Sequence, residues 1–465
     1  MDTTTQTLID FVQSVSADDL SQSTLDETSR RLADSLACLV GGVQSKPVRV
    51  ARELATEITS SRGATVIGAS SPTSPELAAF TNTIALRYLD YNDTYFSSLG
   101  GGGHPSDLIP TALAIGEVTH ASGRDVLAAI ALSYELWGRL AGTVRIRERG
   151  WDQGLFTVVA SALTAGRLYG LDDAQLANAI SLAVIPHVPT RRTRAGALSM
   201  WKGAATAGAA RNGIFAAKLA ALGMTGPPDP FEGPEGIWDQ VTGPFELSLK
   251  MPAPGDFVIE KSLLKSRPAE YNAQGPLDIM MQLRNEIDIS TIERIDVDTY
   301  WLCWSEIGHE AAKWNPQNRE TADHSLPYLM AVALVDGHIG LESFTPERIA
   351  DPALRPIMSS IIVTEREDIT RAFPEQIGCR MAIHLTSGER IDRSVSYPRG
   401  HSRNPLDDNE INAKFDELTE YQLHNRDIAH RLRDLSWHAD ELSDIGELTS
   451  LFADLSTTAP VTAQR

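Results

Sequence analysis

The sequence predicts a mainly α-helical protein that contains a smaller α+β part. Two changes in pattern along the chain support this fold class. Up to about residue 255, apolar residues recur at three- and four-residue spacing in one segment after another, which indicates helices. Beyond that point apolar and polar residues alternate in several short segments, which indicates strands. From Asp407 onward the pattern is helical and acidic again.

The helical segments are rich in alanine and other small residues, which allows close packing in a large bundle. The run RDVLAAIALSYELWGRLAG, residues 124–142, is apolar almost all round and is expected to be buried. Gly170 follows the last apolar position of one helix and is a candidate for its left-handed C-terminal residue. Asp172 is placed to cap the next helix.

The α+β part is predicted from three alternating segments. ERIDVDTYW, residues 293–301, alternates as a half-buried strand does. CRMAIHL and RIDRSVSYP are two further strands, joined by a hairpin turn at residues 386–389. The apolar run DHSLPYLMAVALVDG predicts a helix, IIVTER resembles a strand, and the tail after Ala453 is predicted to be disordered.

Composition limits the classes of function. A net charge of −20 argues against nucleic-acid binding through a general basic surface. It does not argue against an anionic small molecule held by a few local Arg and Lys side chains. The three cysteines are too few for a thiolate-bound cluster, and reduced thiols fit a cytoplasmic protein. We expect no secretion signal and no membrane span, because the N-terminus lacks a basic region and no apolar run is long enough.

One polar stretch, DYNDTYFSSLGGGGHPSD at residues 90–107, interrupts the apolar helices. It places Asp90 and His104 on either side of four consecutive glycines at residues 100–103. Four glycines add backbone entropy that folding must overcome, so close approach to a ligand or a moving loop would explain them. A long polar surface loop is the alternative interpretation.

Three further polar clusters occur at residues 147–154, 185–203 and 263–274, the last where the pattern changes from helical to α+β. A cleft between domains is a common ligand site. Their Arg and Lys side chains suit a substrate with more than one carboxylate, and His or Asp can move a proton. Metal-binding, dinucleotide, phosphate-loop and serine-hydrolase motifs are absent, so no metal site is predicted.

Five segments, in this order along nearly the whole chain, resemble the MmgE/PrpD family: LDYNDTY with HPSD, MWKG, KSRPAEYNAQ, RETADHSLPYLMAVALVDG and YPRGHSRNPL. The family includes 2-methylcitrate dehydratase, cis-aconitate decarboxylase and iminodisuccinate epimerase, and SMWKG and RETADHSLPY are most similar to the dehydratase branch. The resemblance implies a helical domain built from residues 1–260 and 401–465, with residues 261–400 inserted between them as an α+β lid. It also implies a homodimer, a site in the cleft between the domains, and no metal or organic cofactor.

The resemblance assigns roles to individual residues. Asp90, Thr94 and His104 match an active-site acid, threonine and histidine of the family, and Lys265 matches the lysine of its K-x-x-P motif. Three departures put decarboxylation in doubt. Glu270 stands where the decarboxylase pattern has a histidine, residues 150–153 lack a second histidine, and Leu198 replaces a lysine. Asp152 and Gln153 resemble the Asp-His pair of the methylcitrate dehydratases, with Gln replacing the His, and His187 resembles another histidine of that branch.

The expected reaction is elimination of water from a β-hydroxy di- or tricarboxylate such as 2-methylcitrate or citrate. Removal of the α-proton builds negative charge on a carboxylate, which Lys and Arg side chains would stabilise. The predicted catalytic residues are His104, Asp90, Lys265 and Lys202. The predicted substrate-binding residues are Thr94, Asp93, Ser106, Asp152, Gln153, His187, Arg191, Arg194, Glu270 and Tyr271. The sequence leaves open whether His104 or Asp90 is the acid or the base.

Other interpretations also stay open. His104 could rigidify its loop, His187 could cap a helix, and Lys202 could form a structural ion pair. His324 is expected to belong to a helix N-cap rather than to the site. Of the arginines at 191, 192 and 194, we expect one or two to point inward. The alternative functions are epimerisation of an amino-dicarboxylate, decarboxylation of the cis-aconitate type, and a non-catalytic binding role.

Overall fold

The computed structural model describes residues 1–99, 101–422 and 426–455. It confirms the predicted fold class, because helices dominate and the main sheet is confined to the α+β part of the chain. Gly100 of the glycine run and residues 456–465 of the tail predicted to be disordered lie outside the described ranges.

Helices form the N-terminal part of the chain. They are α1 (Thr3–Ser14), α2 (Gln22–Gly42), α3 (Lys46–Thr56), α4 (Pro75–Tyr88), α5 (Ile109–Thr119), α6 (Gly123–Thr143), α7 (Gly154–Tyr169), α8 (Asp173–Val184), α9 (Trp201–Ala221) and α10 (Val258–Lys261). The predicted helix ends at the α7–α8 junction are confirmed. Gly170 ends α7 with φ of 69°, and the Asp172 side chain accepts a hydrogen bond from the backbone N–H of Gln175 at the start of α8.

The α+β part contains short helices around one main sheet. The helices are α11 (Gln274–Leu283), α12 (Trp301–Cys303), α13 (Arg319–Ala322), α14 (Leu326–Asp336), α15 (Pro346–Ile349), α16 (Arg355–Ser360) and α17 (Glu367–Ala372). The chain then ends its described part in α18 (Asp408–Gln422), α19 (Arg426–Trp437), α20 (Gly446–Thr449) and α21 (Leu451–Asp454). Helix α18 packs against α2, so C-terminal residues join the core of the N-terminal helices.

Strands β1 (Tyr95–Phe96) and β2 (Gly102–Gly103) form a small antiparallel pair. The main sheet consists of β3 (Ile292–Thr299), β4 (Ile361–Glu365), β5 (Cys379–Leu385) and β6 (Arg390–Val395). Its strand order is β4-β3-β5-β6, with β3 parallel to β4 and antiparallel to β5, and β5 antiparallel to β6. The predicted hairpin is therefore confirmed.

The first predicted strand of this sheet ends earlier than expected. Ile295, Val297 and Thr299 are buried as the alternation predicts. Trp301, the last residue of the predicted strand, instead begins α12 and remains 49% exposed. Its backbone N–H donates to the Thr370 hydroxyl at 2.9 Å instead of continuing the strand ladder, which explains the early end.

Backbone pairing joins the polar stretch at residues 90–107 to the start of the α+β part. Thr94 and Leu263 exchange hydrogen bonds of 2.8 and 2.7 Å, and the Leu264 N–H donates to the Gly400 carbonyl at 3.0 Å. Gly400 has φ of 94°, and a Cβ there would lie 2.1 Å from the Leu264 carbonyl oxygen, so this contact requires glycine. Within the described ranges, no helix is long and apolar enough to cross a membrane.

Candidate active site

A cavity of about 600 Å³ lies where the helical part meets the α+β part. Its wall includes Gly101, Gly102 and Gly103 from the glycine run, which therefore borders the cavity as its composition suggested. Of the predicted site residues, the structure brings together in this wall Asp90, Thr94, His104, Asp152, Gln153, Arg191, Arg194 and Glu270.

Asp90 follows the C-terminus of α4 and has φ of 50°, a left-handed conformation that aspartate adopts more readily than most residues. Its carboxylate is almost fully buried among cations. Lys265 Nζ lies 2.7 Å from Oδ1, Lys202 Nζ lies 3.2 Å from Oδ2, and an Arg87 nitrogen lies 3.2 Å from Oδ1. Burial acts to raise the pKa of Asp90, but Lys202, Lys265, His324 and Arg87 outweigh it and hold the pKa well below the usual range. Asp90 is thus a fixed carboxylate.

Lys202 forms the centre of a second set of contacts. Its Nζ lies 3.1 Å from Asp323 Oδ1 and 3.2 Å from His324 Nδ1, in addition to its contact with Asp90. One potential ligand atom from each of Asp90, Asp323 and His324 lies within 4.8 Å of the other two, a spacing that could hold a cation. The ammonium group of Lys202 already contacts all three, so this cluster is built around a protein cation.

His104 is held with a defined tautomer. Its Nδ1 lies 2.7 Å from the backbone carbonyl of Asp93, and a carbonyl oxygen can only accept, so Nδ1 carries the proton. Burial, together with Arg87 and Lys265, lowers the pKa of His104 well below its ordinary value. The ring is therefore neutral near pH 7, with Nε2 unprotonated. A hydrogen bond of 3.2 Å from its backbone N–H to the Gln153 side chain holds the end of the glycine-rich loop.

Glu270, in contrast to His104, keeps its proton up to about neutral pH. Burial raises its pKa to about 7, although Lys265 acts to lower it. Its carboxylate accepts hydrogen bonds from the backbone N–H and the side-chain amide of Asn272, at 2.8 and 2.9 Å. Tyr300 in turn donates to the Asn272 side chain. A carboxyl group that keeps its proton to about neutral pH thus lies in the same cavity wall as an unprotonated imidazole.

Arg194 also presents hydrogen-bond donors in the cavity wall. Its Nε lies 2.9 Å from Asp152 Oδ2, and one terminal nitrogen donates to the Lys202 carbonyl at 3.2 Å. The other terminal nitrogen, Nη2, is buried and has no hydrogen-bond partner within the described part of the chain. A buried guanidinium nitrogen without a partner is suited to bind an anionic ligand.

Other predicted site residues lie outside the cavity wall. Lys265 and Lys202 lie behind Asp90 and are almost fully buried. Asp93 and Ser106 support the loop from within, through a 3.3 Å bond from the Ser106 N–H to Asp93 Oδ1. Tyr271 packs edge-on against the Phe96 ring, with centroids 5.8 Å apart.

His187 is separate from these groups. Its Nδ1 lies 2.7 Å from the Asn212 side chain. Burial lowers the pKa of His187 to about 4, and it does not line the cavity. Arg192 is likewise absent from the cavity wall, so two of the three neighbouring arginines face the cavity, as expected.

Sequence reasoning missed several cavity residues. His324 was expected in a helix N-cap, but Ser325 caps α14 and His324 lines the cavity. Burial and Lys202 lower its pKa to about 4. Asp323 and His324 both lie within RETADHSLPY, one of the segments that carried the resemblance, so a signal was present. Two more missed cavity residues also lay in segments already singled out, Asn272 in KSRPAEYNAQ and Arg147 in the polar cluster at residues 147–154. The cavity residues Arg87, Tyr300 and Glu306 gave no comparable signal.

Comparison with known proteins agrees with the resemblance. Residues 6–250 match the MmgE/PrpD N-terminal domain and residues 268–438 match the MmgE/PrpD C-terminal domain. The chain is 28% identical to a 2-methylcitrate dehydratase of Cupriavidus necator, with 86% of each chain covered. It is 27% identical to the 2-methylcitrate dehydratase of Escherichia coli K12, over 86% of this chain and 87% of the relative. An alkylcitrate dehydratase of a fungal species is 26% identical, over 89% and 87%.

Proposed function

The chain belongs to the MmgE/PrpD family, and from this membership we propose that it is a hydro-lyase that eliminates water from a β-hydroxy tricarboxylate such as 2-methylcitrate or citrate. Similarity to 2-methylcitrate dehydratases over most of the chain supports this reaction class. The observation that carries the proposal is the pairing, in one cavity wall, of an unprotonated imidazole with a carboxyl group that is protonated up to about neutral pH.

In this proposal His104 is the base. Its Nδ1 proton is engaged by the Asp93 carbonyl, so Nε2 is the nitrogen able to take the α-proton of the substrate. Asp90 is excluded from donating a proton, because its surrounding cations keep it ionised. Glu270 is the acid that protonates the leaving hydroxide, since its pKa of about 7 leaves a substantial protonated fraction at neutral pH.

The charge around Asp90, in and behind the cavity wall, supports an anionic substrate. Arg87, Lys202 and Lys265 supply three buried cations against the carboxylates of Asp90 and Asp323. Burial raises the pKa of Asp107, beside Arg87, to about 7. Asp107 therefore offsets the excess positive charge only in part. The remaining positive charge stabilises the negative charge that develops on the substrate carboxylate when the α-proton leaves.

The test is incubation with 2-methylcitrate, citrate, cis-aconitate and an epimerisable aspartate-type imine in deuterated water, followed by proton NMR. We expect an alkene product from a hydroxy acid. His104→Ala should lower the rate by about 10²- to 10⁴-fold, the usual contribution of a positioned base. Chelator should leave the rate unchanged, because Lys202 already takes the contacts that a cation would need.

Each contrary outcome identifies an alternative. Deuterium at an α-carbon without an alkene indicates epimerisation, and loss of carbon dioxide from cis-aconitate indicates decarboxylation. Retention of full activity in the His104→Ala variant would contradict the assignment of the base. No reaction with any of the substrates, together with tight ligand binding, would favour a non-catalytic binding protein.

We further propose that the protein is a cytoplasmic homodimer. The three cysteines are buried free thiols, which is compatible with a reducing compartment. The side chains of Trp201 and Phe215 in α9 are each 53% exposed, and that of Leu222, directly after the helix, is 75% exposed. Positions seven or fourteen residues apart lie close to one face of a helix, so these side chains form one apolar strip that a second copy could cover.

A further inference from the structure

A second cationic cluster lies nearer to solvent than the one around Asp90. Arg147, just after α6, and Arg191 both reach Glu306 in the α+β part. The Arg191 guanidinium lies 2.6 Å from Glu306 Oε1, and the Arg147 guanidinium contacts the same oxygen. All three side chains line the cavity and remain 21 to 27% exposed, whereas Asp90 and Lys265 are at most 2% exposed.

This cluster contains more positive than negative charge. Two guanidinium groups share one carboxylate oxygen, and Asp152, the other acid close to Arg191, is already bound by Arg194 at 2.9 Å. Burial, together with the neighbouring Arg191, lowers the pKa of Arg147 to about 9. A second carboxylate brought to this position would relieve the repulsion between the two guanidinium groups.

We propose that Arg147 and Arg191 form a binding subsite for the substrate carboxylate that lies farthest from the reacting carbon, and that Glu306 occupies this subsite when substrate is absent. The inference rests on the proposed function and explains why the cavity would bind a substrate that has several carboxylates. One cationic cluster surrounds Asp90 in and behind the buried part of the cavity wall, and the other lies at the exposed end. A ligand with carboxylates on separate carbons is therefore stabilised by both. Glu306, released by the ligand, turns to solvent.

The first experiment measures binding without requiring turnover. Isothermal titration calorimetry of the full chain uses propane-1,2,3-tricarboxylate, which lacks a hydroxyl group and cannot be dehydrated, and propanedioate, whose two carboxylates share one carbon and therefore cannot reach both clusters. Arg147→Met should weaken binding of the tricarboxylate by about tenfold or more, because a charge-assisted pair is lost. It should weaken propanedioate binding much less. Arg147→Lys keeps the charge without the planar fork and should have an intermediate effect.

A control and an opposing variant complete the design. Arg294→Met removes an arginine from an exposed ion pair with Asp296 outside the cavity, and should leave the Kd unchanged. Glu306→Gln removes the competing carboxylate and should strengthen tricarboxylate binding several-fold. The opposite result, weaker binding in Glu306→Gln by as much as in Arg147→Met, would show that the three residues form a purely structural cluster and would overturn the proposal.

Failure of this subsite differs from failure of the proposed function. If the protein dehydrates 2-methylcitrate while Arg147→Met keeps the tricarboxylate Kd within twofold, the subsite is wrong and the function stands. If the protein dehydrates none of the substrates but Arg147→Met weakens tricarboxylate binding, the subsite stands and the reaction is wrong. No binding of the tricarboxylate by the unchanged protein would also overturn the subsite.

Discussion

The buried lysine of the C-terminal helix α18 offers a sharp test of how distant parts of the chain hold the site. Lys414 Nζ lies 2.6 Å from Asp34 Oδ1 in α2 and 2.7 Å from the backbone carbonyl of Tyr91. It also lies 3.4 Å from the Lys265 carbonyl and 3.8 Å from the centre of the Tyr91 ring. One ammonium group therefore connects α2, the residue next to Asp90, and the backbone of Lys265.

The expected effect follows from the burial of this pair, since the side chains of Lys414 and Asp34 are 3 and 1% exposed. Lys414→Met leaves the Asp34 carboxylate buried without its counter-ion, so we expect the free energy of unfolding to fall by about 3–5 kcal/mol. The double variant Lys414→Met with Asp34→Leu buries no unpaired charge. Its loss should be smaller, about 1–3 kcal/mol, because the Tyr91 carbonyl still lacks its donor.

Urea denaturation followed by tryptophan fluorescence measures the loss, and hydrogen exchange of the α2 and α18 amides locates it. Turnover of 2-methylcitrate by the fraction that stays folded tests positioning, because displacement of Tyr91 moves Asp90. We expect kcat to fall more than KM rises. A loss below about 1 kcal/mol for Lys414→Met, or a double variant as unstable as the sum of the two single variants, would refute this reasoning.

Three further outcomes are expected. Gly103→Ala should lower kcat, because the added Cβ would lie 1.5 Å from Gln153 Oε1, whereas Gly101→Ala meets nothing nearer than 3.6 Å and should be close to neutral in the same kinetic assay. Burial raises the pKa of Glu270 from 4.5 to about 7, so the unfolded chain loses this proton first and stability falls between these pH values. In the Glu270→Gln variant, the free energy of unfolding measured in denaturation curves should therefore decrease less as the pH rises through this range, by up to roughly 3 kcal/mol. The same pH dependence in the variant and the unchanged protein would contradict the raised pKa of Glu270. Phe215→Glu should convert a dimer to a monomer in analytical ultracentrifugation, and a monomer already present in the unchanged protein would contradict the homodimer.

The sequence by itself was sufficient for the fold class and for several residues of the candidate site. Periodicity identified the helices and the β5–β6 hairpin because those signals depend on neighbours a few residues apart. Asp90 and His104 could be found for a similar reason, since both lie in one short polar stretch between apolar helices. The order of five segments indicated the family, which the domain matches confirm.

Only the tertiary structure decided which groups face the cavity and which lie behind it. Lys202 and Lys265 are 112 and 175 residues from Asp90, and their contact with it depends on how α9 and the start of the α+β part pack against the end of α4. His324 looked like part of a helix cap because its local sequence is that of a cap. It reaches the cavity because α14 packs with its N-terminus beside Lys202. The protonation states of His104 and Glu270 also depend on the tertiary structure. Their pKa values are set by burial and by cations from distant segments, and neither is specified by the neighbouring residues in the sequence.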